Sequence, residues 1–299
     1  MFLYKAFGLN FNSEIEIPEF KIGVEPTDVS ILIGKTPEKL ENPLFPGIRI
    51  QTAENKLLLK VDGIAVYYIE NGNKIIVEPD KDATKDSIRL FLLSSCMIAV
   101  LLQRDLLPIH ASSVCINGKA VLFTGASGIG KSTMASVLRK KGYKTISDDL
   151  TLVRIDEKGK PKVISGFPQI KLWEDTIKKL DENIEDFNQI RENINKYKVN
   201  VEDDFYDEEP LDIEAVYILN ADSDDGFKKV KLKGLEKVNA LTLNTSRPNY
   251  VKGLGKKGVN FKQVSILGNN TRVVKITRKR DTFVANEFAD FVLEDINNG

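Results

Sequence analysis

Alternating apolar and polar residues dominate the N-terminal part of the chain, up to Pro79, and predict short β-strands. The pattern favours strands at 15–20 and 56–61, and a hairpin in which strands 64–69 and 74–77 flank the turn Asn71-Gly72-Asn73. No cluster of residues with recognisable chemistry occurs in this part. We therefore predict a small β-rich accessory domain at residues 1–83.

From residue 84 onward, helical stretches alternate with short apolar strands. Thr84 can cap an apolar helix over 88–107, and a strand at 120–124, a helix at 132–141 and a strand at 144–146 follow it. The most apolar run, 91–102, is shorter than the ~20 residues of a membrane span, which predicts a buried helix. This order predicts an α/β catalytic domain over residues 84–299.

The remaining apolar runs are weaker. They predict a hairpin of 152–155 with 162–164, strands at 215–219, 228–232 and 272–277, and helices near 173–180, 235–243, 258–267 and 282–296. Between them, residues 181–214 hold 13 acidic residues against three basic ones. Such a composition is typical of an exposed or mobile segment, which would serve as a lid, a docking surface or a solvated loop.

The overall charge is balanced, with 43 Lys and Arg against 43 Asp and Glu. No general basic or acidic field therefore selects a nucleic acid or a membrane as partner. The first residues lack the order of a signal peptide, and two scattered cysteines fit a reducing compartment, so we expect a cytoplasmic protein. One histidine and two cysteines are too few for a structural zinc site.

A glycine-rich loop between the strand at 120–124 and the next helix fits the Walker A pattern, GxxxxGK[ST]. Glycines let the backbone turn so that successive N–H groups point at phosphate oxygens, and the first turn of the helix adds further N–H groups. Lys131 suits the β- and γ-phosphates, and the Ser132 hydroxyl suits Mg²⁺. The predicted nucleotide-binding residues are Gly125, Ala126, Ser127, Gly128, Ile129, Gly130, Lys131, Ser132 and Thr133.

Asp148 and Asp149 stand at the end of the next predicted strand, which follows the helix that Lys131 begins. Ligands of open α/β sheets bind beyond the carboxyl ends of strands, so both carboxylates are expected near the phosphates if the two strands are neighbours. One can hold Mg²⁺ and the other can accept the proton of an attacking hydroxyl, although such a pair can also simply cap a turn. His110, the one histidine, is likewise either structural or functional.

Three motifs taken together resemble one family. PIHASSV at 108–114, the loop GASGIGKS and SDD at 147–149 have the order and spacing of the catalytic core of HPr kinase/phosphorylase and its relatives. GFPQIKLW at 166–173 and the stretch 261–281 resemble shorter HPr-kinase-like proteins of bacteria, which include kinases of lasso-peptide precursors. The resemblance covers roughly residues 88–295.

This resemblance implies a P-loop kinase core of the HPr kinase/phosphoenolpyruvate carboxykinase type. It also implies ATP- and Mg²⁺-dependent transfer of the γ-phosphate to a hydroxyl, mainly of serine, in a peptide, protein or small metabolite. By position, Asp148 would be the base, Asp149 and Ser132 would lie on the Mg²⁺ side, and His110 would help hold the base or the γ-phosphate. The roles within the Asp pair can be reversed. An oligomer is possible, because HPr kinases form rings.

Two features of HPr kinase/phosphorylase, which is a bifunctional enzyme, are missing from this sequence. An arginine- and glycine-rich loop late in the chain is not evident, and Gln169 and Lys171 occupy the region after the Asp pair where a magnesium-binding glutamate is expected. We therefore do not predict phosphorylase activity, and we do not predict that HPr is the substrate. Positive charge for the phosphates has to come from elsewhere, and the candidates are Lys196, Lys198, Arg247 and Arg280.

Other functions remain open on the residues alone. A nucleotide-binding sensor or scaffold without turnover is one of them, because the magnesium-binding glutamate is missing. An ABC-type ATPase shares the loop but needs an LSGGQ stretch that the sequence lacks, and a phosphoenolpyruvate carboxykinase needs a longer chain and more histidines. ATP is the default nucleotide, because no NKxD guanine-reading motif occurs at a suitable place.

Overall fold

The computed structural model describes residues 1–191, 194–222, 226–279 and 284–298. They form a mixed α/β protein with two compact units. The N-terminal unit comprises Met1–Pro108 and Thr245–Gln263, and the second unit comprises Ile109–Asn244 and Val264–Gly299. The sequence analysis places the boundary near residue 83 instead, because it assigns the long apolar helix to the catalytic domain.

The N-terminal unit is built on a nine-stranded sheet with the order β3-β1-β2-β4-β9-β8-β7-β6-β5. Its strands are β1 (Phe2–Ala6), β2 (Leu9–Ser13), β3 (Lys21–Ile22), β4 (Val29–Ile33), β5 (Phe45–Pro46), β6 (Ile50–Ala53), β7 (Lys56–Val61), β8 (Ala65–Glu70) and β9 (Lys74–Pro79). The hairpin predicted around Asn71 and Gly72 is confirmed, with both residues at positive φ. The strand predicted at 15–20 is wrong, because the Ser13 hydroxyl bridges the N–H and the carbonyl of Ile15 and the chain turns there.

The apolar helix belongs to this N-terminal unit. It consists of α1 (Lys85–Phe91), a π-helical stretch (Leu92–Cys96) and α2 (Met97–Gln103), and the Thr84 hydroxyl caps its start as predicted. The Gln103 side chain accepts from the N–H of Gly72 and donates to the carbonyl of Ile69, which fastens the helix to the β8–β9 hairpin. Among the described residues, Lys85–Gln103 is the one helix long and apolar enough to cross a membrane, and 67% of its most apolar window is buried in the protein.

The second unit has a mixed sheet that includes the order β14-β15-β19-β12-β11-β13, with β21 beside β19 and β20 beside β21. The strands are β10 (Leu107–Ile109), within which the boundary of the two units falls, β11 (Ala111–Ile116), β12 (Lys119–Thr124), β13 (Thr145–Ser147), β14 (Thr151–Ile155), β15 (Pro161–Ile164), β19 (Leu211–Asp222), β20 (Lys228–Lys231) and β21 (Arg272–Lys279). Three further strands, β16 (Gln169–Trp173), β17 (Asn188–Gln189) and β18 (Lys196–Asn200), form a small antiparallel sheet.

The helices after the glycine loop complete the chain. They are α3 (Lys131–Lys140), α4 (Glu174–Lys179), α5 (Gly234–Leu243), α6 (Pro248–Gly253), α7 (Lys257–Asn270) and α8 (Ala285–Asn297), with short 3₁₀ turns at Ile184–Asp186 and Glu202–Asp204. Helices α3 and α8 pack against the sheet of the second unit, where Met134, Leu138 and Phe288 join Phe123 and Tyr217 in one buried core.

The strand order brings the predicted motifs to one edge of this sheet. β12, which precedes the glycine loop, and β13, which precedes the Asp pair, are not neighbours, because β11 lies between them and is antiparallel to both. β12 and β13 therefore run in the same direction and end at the same edge, where β11 begins just after His110. The expectation from the sequence is conditional on the two strands being neighbours. They are not, but their carboxyl ends still meet at the same edge.

Candidate active site

The glycine loop leaves β12 in a conformation that only glycine tolerates well. Gly125 has a φ of 139°, and a Cβ atom at this position would lie 2.6 Å from the carbonyl oxygen of Leu219 on β19. Gly130, at a φ of 110°, is the N-cap of α3. These positions need a residue without a side chain, so the loop can pass close to the sheet and turn into the helix.

Lys131 is the first residue of α3, and its side chain folds back over the loop. Its ammonium donates to the carbonyl oxygens of Gly125 and Ala126, each at 3.0 Å. The residue is only 7% exposed. Burial lowers the pKa of Lys131, and the carboxylates of Asp149 and Asp148 oppose part of this shift. The ammonium is therefore held at the mouth of the loop, as phosphate binding requires.

Asp148 is anchored inside the protein. Its Oδ1 accepts from the Ser112 hydroxyl at 2.5 Å, and its Oδ2 accepts from the backbone N–H of Lys171 at 2.9 Å. Ser112 lies on β11 and Lys171 on β16, so this carboxylate connects the two sheets of the second unit. Asp148 is 7% exposed.

Asp149 points in a different direction. Its backbone has a φ of 67°, a left-handed conformation that aspartate adopts more readily than most residues. The turn brings its carboxylate 3.2 Å from the Lys171 ammonium and 3.4 Å from His110 Nδ1. Burial raises the pKa of Asp149, but the Lys171 ammonium, the contact with His110 and the Lys196 ammonium outweigh it and hold the pKa below its usual range. The carboxylate is therefore an anion at neutral pH.

His110 is oriented by the same turn. Its Nδ1 lies 3.0 Å from the carbonyl oxygen of Asp149. A carbonyl can only accept, so this contact is a hydrogen bond when Nδ1 carries the proton, and Nε2 is then the nitrogen with a lone pair. The backbone on either side is fixed, because the His110 carbonyl accepts from Thr124 Oγ1 and the His110 N–H donates to Asn244.

A cavity of about 310 Å³ brings these groups together. It is lined by the loop residues Ser127, Gly128, Gly130, Lys131, Ser132 and Thr133, and by His110, Asp149, Lys171, Leu172, Trp173, Asp175, Thr176 and Lys196. A second cavity, of about 550 Å³, shares six of these residues and extends along the loop to Met134, Ala285 and Phe288. Asp148 does not line either cavity.

Three polar residues of the cavity wall are not among the predicted functional residues, namely Lys171, Asp175 and Thr176, and neither is the aromatic Trp173. The spacing could have indicated one of them, because Asp175 lies only a few positions beyond Lys171, in the region where the resemblance expects an acidic magnesium ligand. In the sequence, Lys171 stands out only as the residue in place of this glutamate. Its position in the cavity depends on the β16–β18 pairing, which no local pattern predicts.

The predicted basic candidates have different positions. Lys196 lines the cavity, with its ammonium 5.6 Å from the centre of the Trp173 ring. Lys198 lies on the same strand, β18, opposite Lys171. Arg247 belongs to the N-terminal unit, where it donates to the Ser95 hydroxyl. Arg280 lies outside the described residues.

The donor atoms of the cavity fit Mg²⁺. Ser132 and Asp149 offer hard oxygen ligands, and the Asp149 carboxylate is ionised. Across the described ranges, no group of three or more His, Cys, Asp or Glu side chains could hold a metal ion by itself. Mg²⁺ is commonly bound by one or two protein oxygens together with the phosphates of a substrate, and the Ser132 and Asp149 oxygens suit this mode.

Comparison with known proteins supports the resemblance. A family described as SynChlorMet cassette protein ScmC matches residues 75–184, which include His110, the loop and both aspartates. A curated protein named HPr kinase/phosphorylase from Chlorobium phaeovibrioides is 28% identical over 132 residues, which are 41% of this chain and 39% of that protein. The chain thus spans about two fifths of this relative's length.

Among solved structures, the Hpr(Ser) kinase/phosphatase from Coxiella burnetii matches 64% of this chain and 91% of its own, with 13% identity and a TM-score of 0.35. The family model covers residues 75–184, which include most of the residues that line the cavity. The resemblance predicted from the three motifs is confirmed: this chain is similar to HPr kinase/phosphorylase and to the short proteins related to it.

Proposed function

We propose that this protein is a kinase that transfers the γ-phosphate of ATP, in the presence of Mg²⁺, to a hydroxyl group, mainly of serine, in a peptide, protein or small metabolite. One observation carries the proposal. A Walker A loop, an ionised carboxylate and an oriented histidine line the same cavity. The similarity to HPr kinase/phosphorylase supports a kinase-like function for this arrangement.

The loop and Lys131 bind the phosphates in this proposal. The loop residues that lead into α3 line the cavity, and Lys131 already has two of its three donors fixed on loop carbonyls. The β- and γ-phosphates would take the remaining donor and the loop N–H groups. Ser132 and Asp149 would hold Mg²⁺, which supplies charge neutralisation for the phosphates when it is bound.

His110 is the proposed proton acceptor. With Nδ1–H on the Asp149 carbonyl, the lone pair of Nε2 is available at the cavity wall. In the reaction, the acceptor oxygen forms a bond to the γ-phosphorus, the bond from this phosphorus to the β–γ bridging oxygen breaks, and ADP leaves. The hydroxyl proton moves to His110 Nε2. The low pKa of Asp149 makes it a better ligand for a cation than a proton acceptor.

In this proposal, Asp148 positions Asp149 and does not accept the proton. Both of its oxygens accept hydrogen bonds from the protein, and these bonds fix the turn that carries Asp149. The assignment made from the position of Asp148 in the sequence motif instead makes Asp148 the base that accepts the proton. The two assignments predict different behaviour for variants of His110 and Asp148.

The test is phosphoryl transfer from γ-labelled ATP to a panel of serine peptides and small hydroxyl compounds. His110→Asn is the sharpest variant, because its amide can still donate to the Asp149 carbonyl while Nε2 is lost. We expect it to bind ATP like the wild type but to lower kcat by about 100-fold or more. Lys178→Gln is the control, since Lys178 pairs with Glu174 on the surface of α4 and should not affect the rate.

The outcomes separate the assignments. Full activity in His110→Asn, together with a stable but inactive Asp148→Asn, would return the role of base to Asp148. ATP binding without transfer to any acceptor in the panel would favour a nucleotide sensor, the second candidate. Wild-type transfer that persists in Lys131→Met would contradict the proposed site.

A further inference from the structure

Lys171 connects both carboxylates of the Asp pair. Its backbone N–H donates to Asp148 Oδ2, and its ammonium lies 3.2 Å from Asp149 Oδ2. The side chain is 11% exposed, and it lines the cavity beside the glycine loop. A lysine in this position, in the middle of a strand with buried Ile170 and Leu172 on either side, is part of the site and differs from the solvated lysines of the surface.

The three lysines of the cavity have different partners. Lys131 donates to loop carbonyls, and Lys196 lies over the ring of Trp173. Lys171 is paired with Asp149, which is the carboxylate expected to take Mg²⁺. A cation bound by Asp149 would repel an ammonium at this distance, so Lys171 needs another anion when the site is loaded.

The terminal phosphate is the anion that the site is expected to supply. Lysine has a flexible stem of four carbons, so its ammonium can move while the backbone N–H stays on Asp148. The magnesium complex of a nucleoside triphosphate is still negatively charged, and the wall of the cavity also carries Asp149 and Asp175. Without Lys171, the cationic side chains of the cavity wall would be Lys131 and Lys196 against the two carboxylates.

We propose that Lys171 is a further catalytic residue, whose ammonium moves from Asp149 to the terminal phosphate when nucleotide and Mg²⁺ bind and stays on it during transfer. The proposal rests on the proposed kinase function. Lys171 then recognises the third phosphate, and it makes the site selective for a triphosphate over a diphosphate. Lys171 stands in the region where the resemblance expects a magnesium-binding glutamate, and it brings a covalently attached cation instead.

The experiment compares dissociation constants for ATP and ADP, both with Mg²⁺, by isothermal titration calorimetry on the full chain. In Lys171→Met, we expect ATP binding to weaken by about 10- to 100-fold, the value of one charge-assisted contact, while ADP binding changes by less than about threefold. Lys171→Arg keeps the charge and should retain most of the selectivity. Lys178→Gln should match the wild type.

ADP serves as the internal reference, so the ratio of the two constants stays informative even if Lys171→Met is less stable. An unchanged ratio of the ATP and ADP dissociation constants in Lys171→Met would overturn the role of Lys171. The kinase proposal would still stand if Lys131→Met, titrated in the same way, binds ATP more weakly than the wild type. If the wild type binds neither nucleotide, both proposals fail. Equal weakening of ATP and ADP would also overturn the proposal, because it would mean that Lys171 only supports the shape of the site.

Discussion

Replacing Asp148 by Asn tests whether this residue is the anchor of the site. The carboxylate accepts one hydrogen bond from Ser112 and one from the N–H of Lys171, and it is almost fully buried. An Asn side chain can keep its carbonyl oxygen on the Lys171 N–H and donate its NH₂ to the Ser112 hydroxyl, which also accepts. The variant loses the negative charge that strengthens both hydrogen bonds, and the Ser112 hydroxyl loses its acceptor. We expect a loss of about 1.5–3 kcal/mol in the free energy of unfolding.

The protein contains a convenient probe and a matched control. Trp173 is the sole tryptophan and lies in the second unit, so its fluorescence during urea denaturation reports the unit that carries the site. Asp156 also accepts two backbone hydrogen bonds, from Lys158 and Lys160, but in an exposed turn where water can replace them. Asp156→Asn should therefore lower the free energy of unfolding by about 1 kcal/mol or less. A loss in Asp148→Asn no larger than in this control would refute the anchoring role.

Three further predictions concern the loop, the magnesium ligand and the pH dependence. Gly125→Ala should lower the free energy of unfolding by about 2 kcal/mol or more, because the new Cβ atom would meet the Leu219 carbonyl. Gly118 has open space around it, so Gly118→Ala should lower the free energy of unfolding by only about 1 kcal/mol. Equal losses in the two variants would contradict the close approach of the loop to Leu219. Ser132→Ala should weaken ATP binding about tenfold with Mg²⁺ but not with EDTA, and a wild-type response to Mg²⁺ would exclude the hydroxyl as ligand. Asp295 accepts from Tyr217, Arg272 and Lys229; burial raises the pKa of Asp295, but these partners bring it below its usual value. The contribution of Asp295 to the free energy of unfolding is therefore complete above the unfolded-state pKa of about 4. It is lost as the pH falls through the lower pKa of the folded state. The difference in unfolding free energy between wild type and Asp295→Asn should be largest at pH 7 and should narrow below pH 4, and a constant difference would contradict this sign.

Much of the site could be predicted from the sequence, because the chemistry of the loop and of the Asp pair is local. The loop needs glycines at positive φ between a strand and a helix, and this pattern is readable at Gly125 and Gly130. The meeting of the loop with Asp149 depends on strand order, which is not local. β11 pairs with both β12 and β13 and so brings their carboxyl ends to one edge of the sheet. No pattern within β12 or β13 indicates that β11 lies between them.

The small sheet was missed for a physical reason. β18 lies in the segment 181–214, whose excess of acidic residues predicted exposure. Composition averages over the segment and hides single apolar residues such as Val199, Val201 and Phe205, which are buried in the core of the second unit. Without β18, the strand β16 has no partner, and Lys171 and Trp173 could not be placed beside the loop.

The division of the chain into units shows a similar limit. Periodicity predicted the apolar helix correctly and Thr84 as its cap, but periodicity does not say which sheet a helix covers. The Gln103 side chain accepts a hydrogen bond from the Gly72 N–H and donates one to the Ile69 carbonyl, and these bonds hold the helix in the N-terminal unit. These contacts join residues that are distant along the chain, and no local signal predicts them.

The most direct test of the account is a titration of the protein with ATP and Mg²⁺, followed by Trp173 fluorescence and by calorimetry. Trp173 lines the cavity, so a nucleotide bound there should change its emission with saturation. We expect saturable binding in the wild type and in Lys178→Gln, and binding at least about tenfold weaker in Lys131→Met, which loses a charge-assisted contact. Absence of binding at millimolar ATP, or wild-type affinity in Lys131→Met, would contradict the claim that the loop and Asp149 form one nucleotide site.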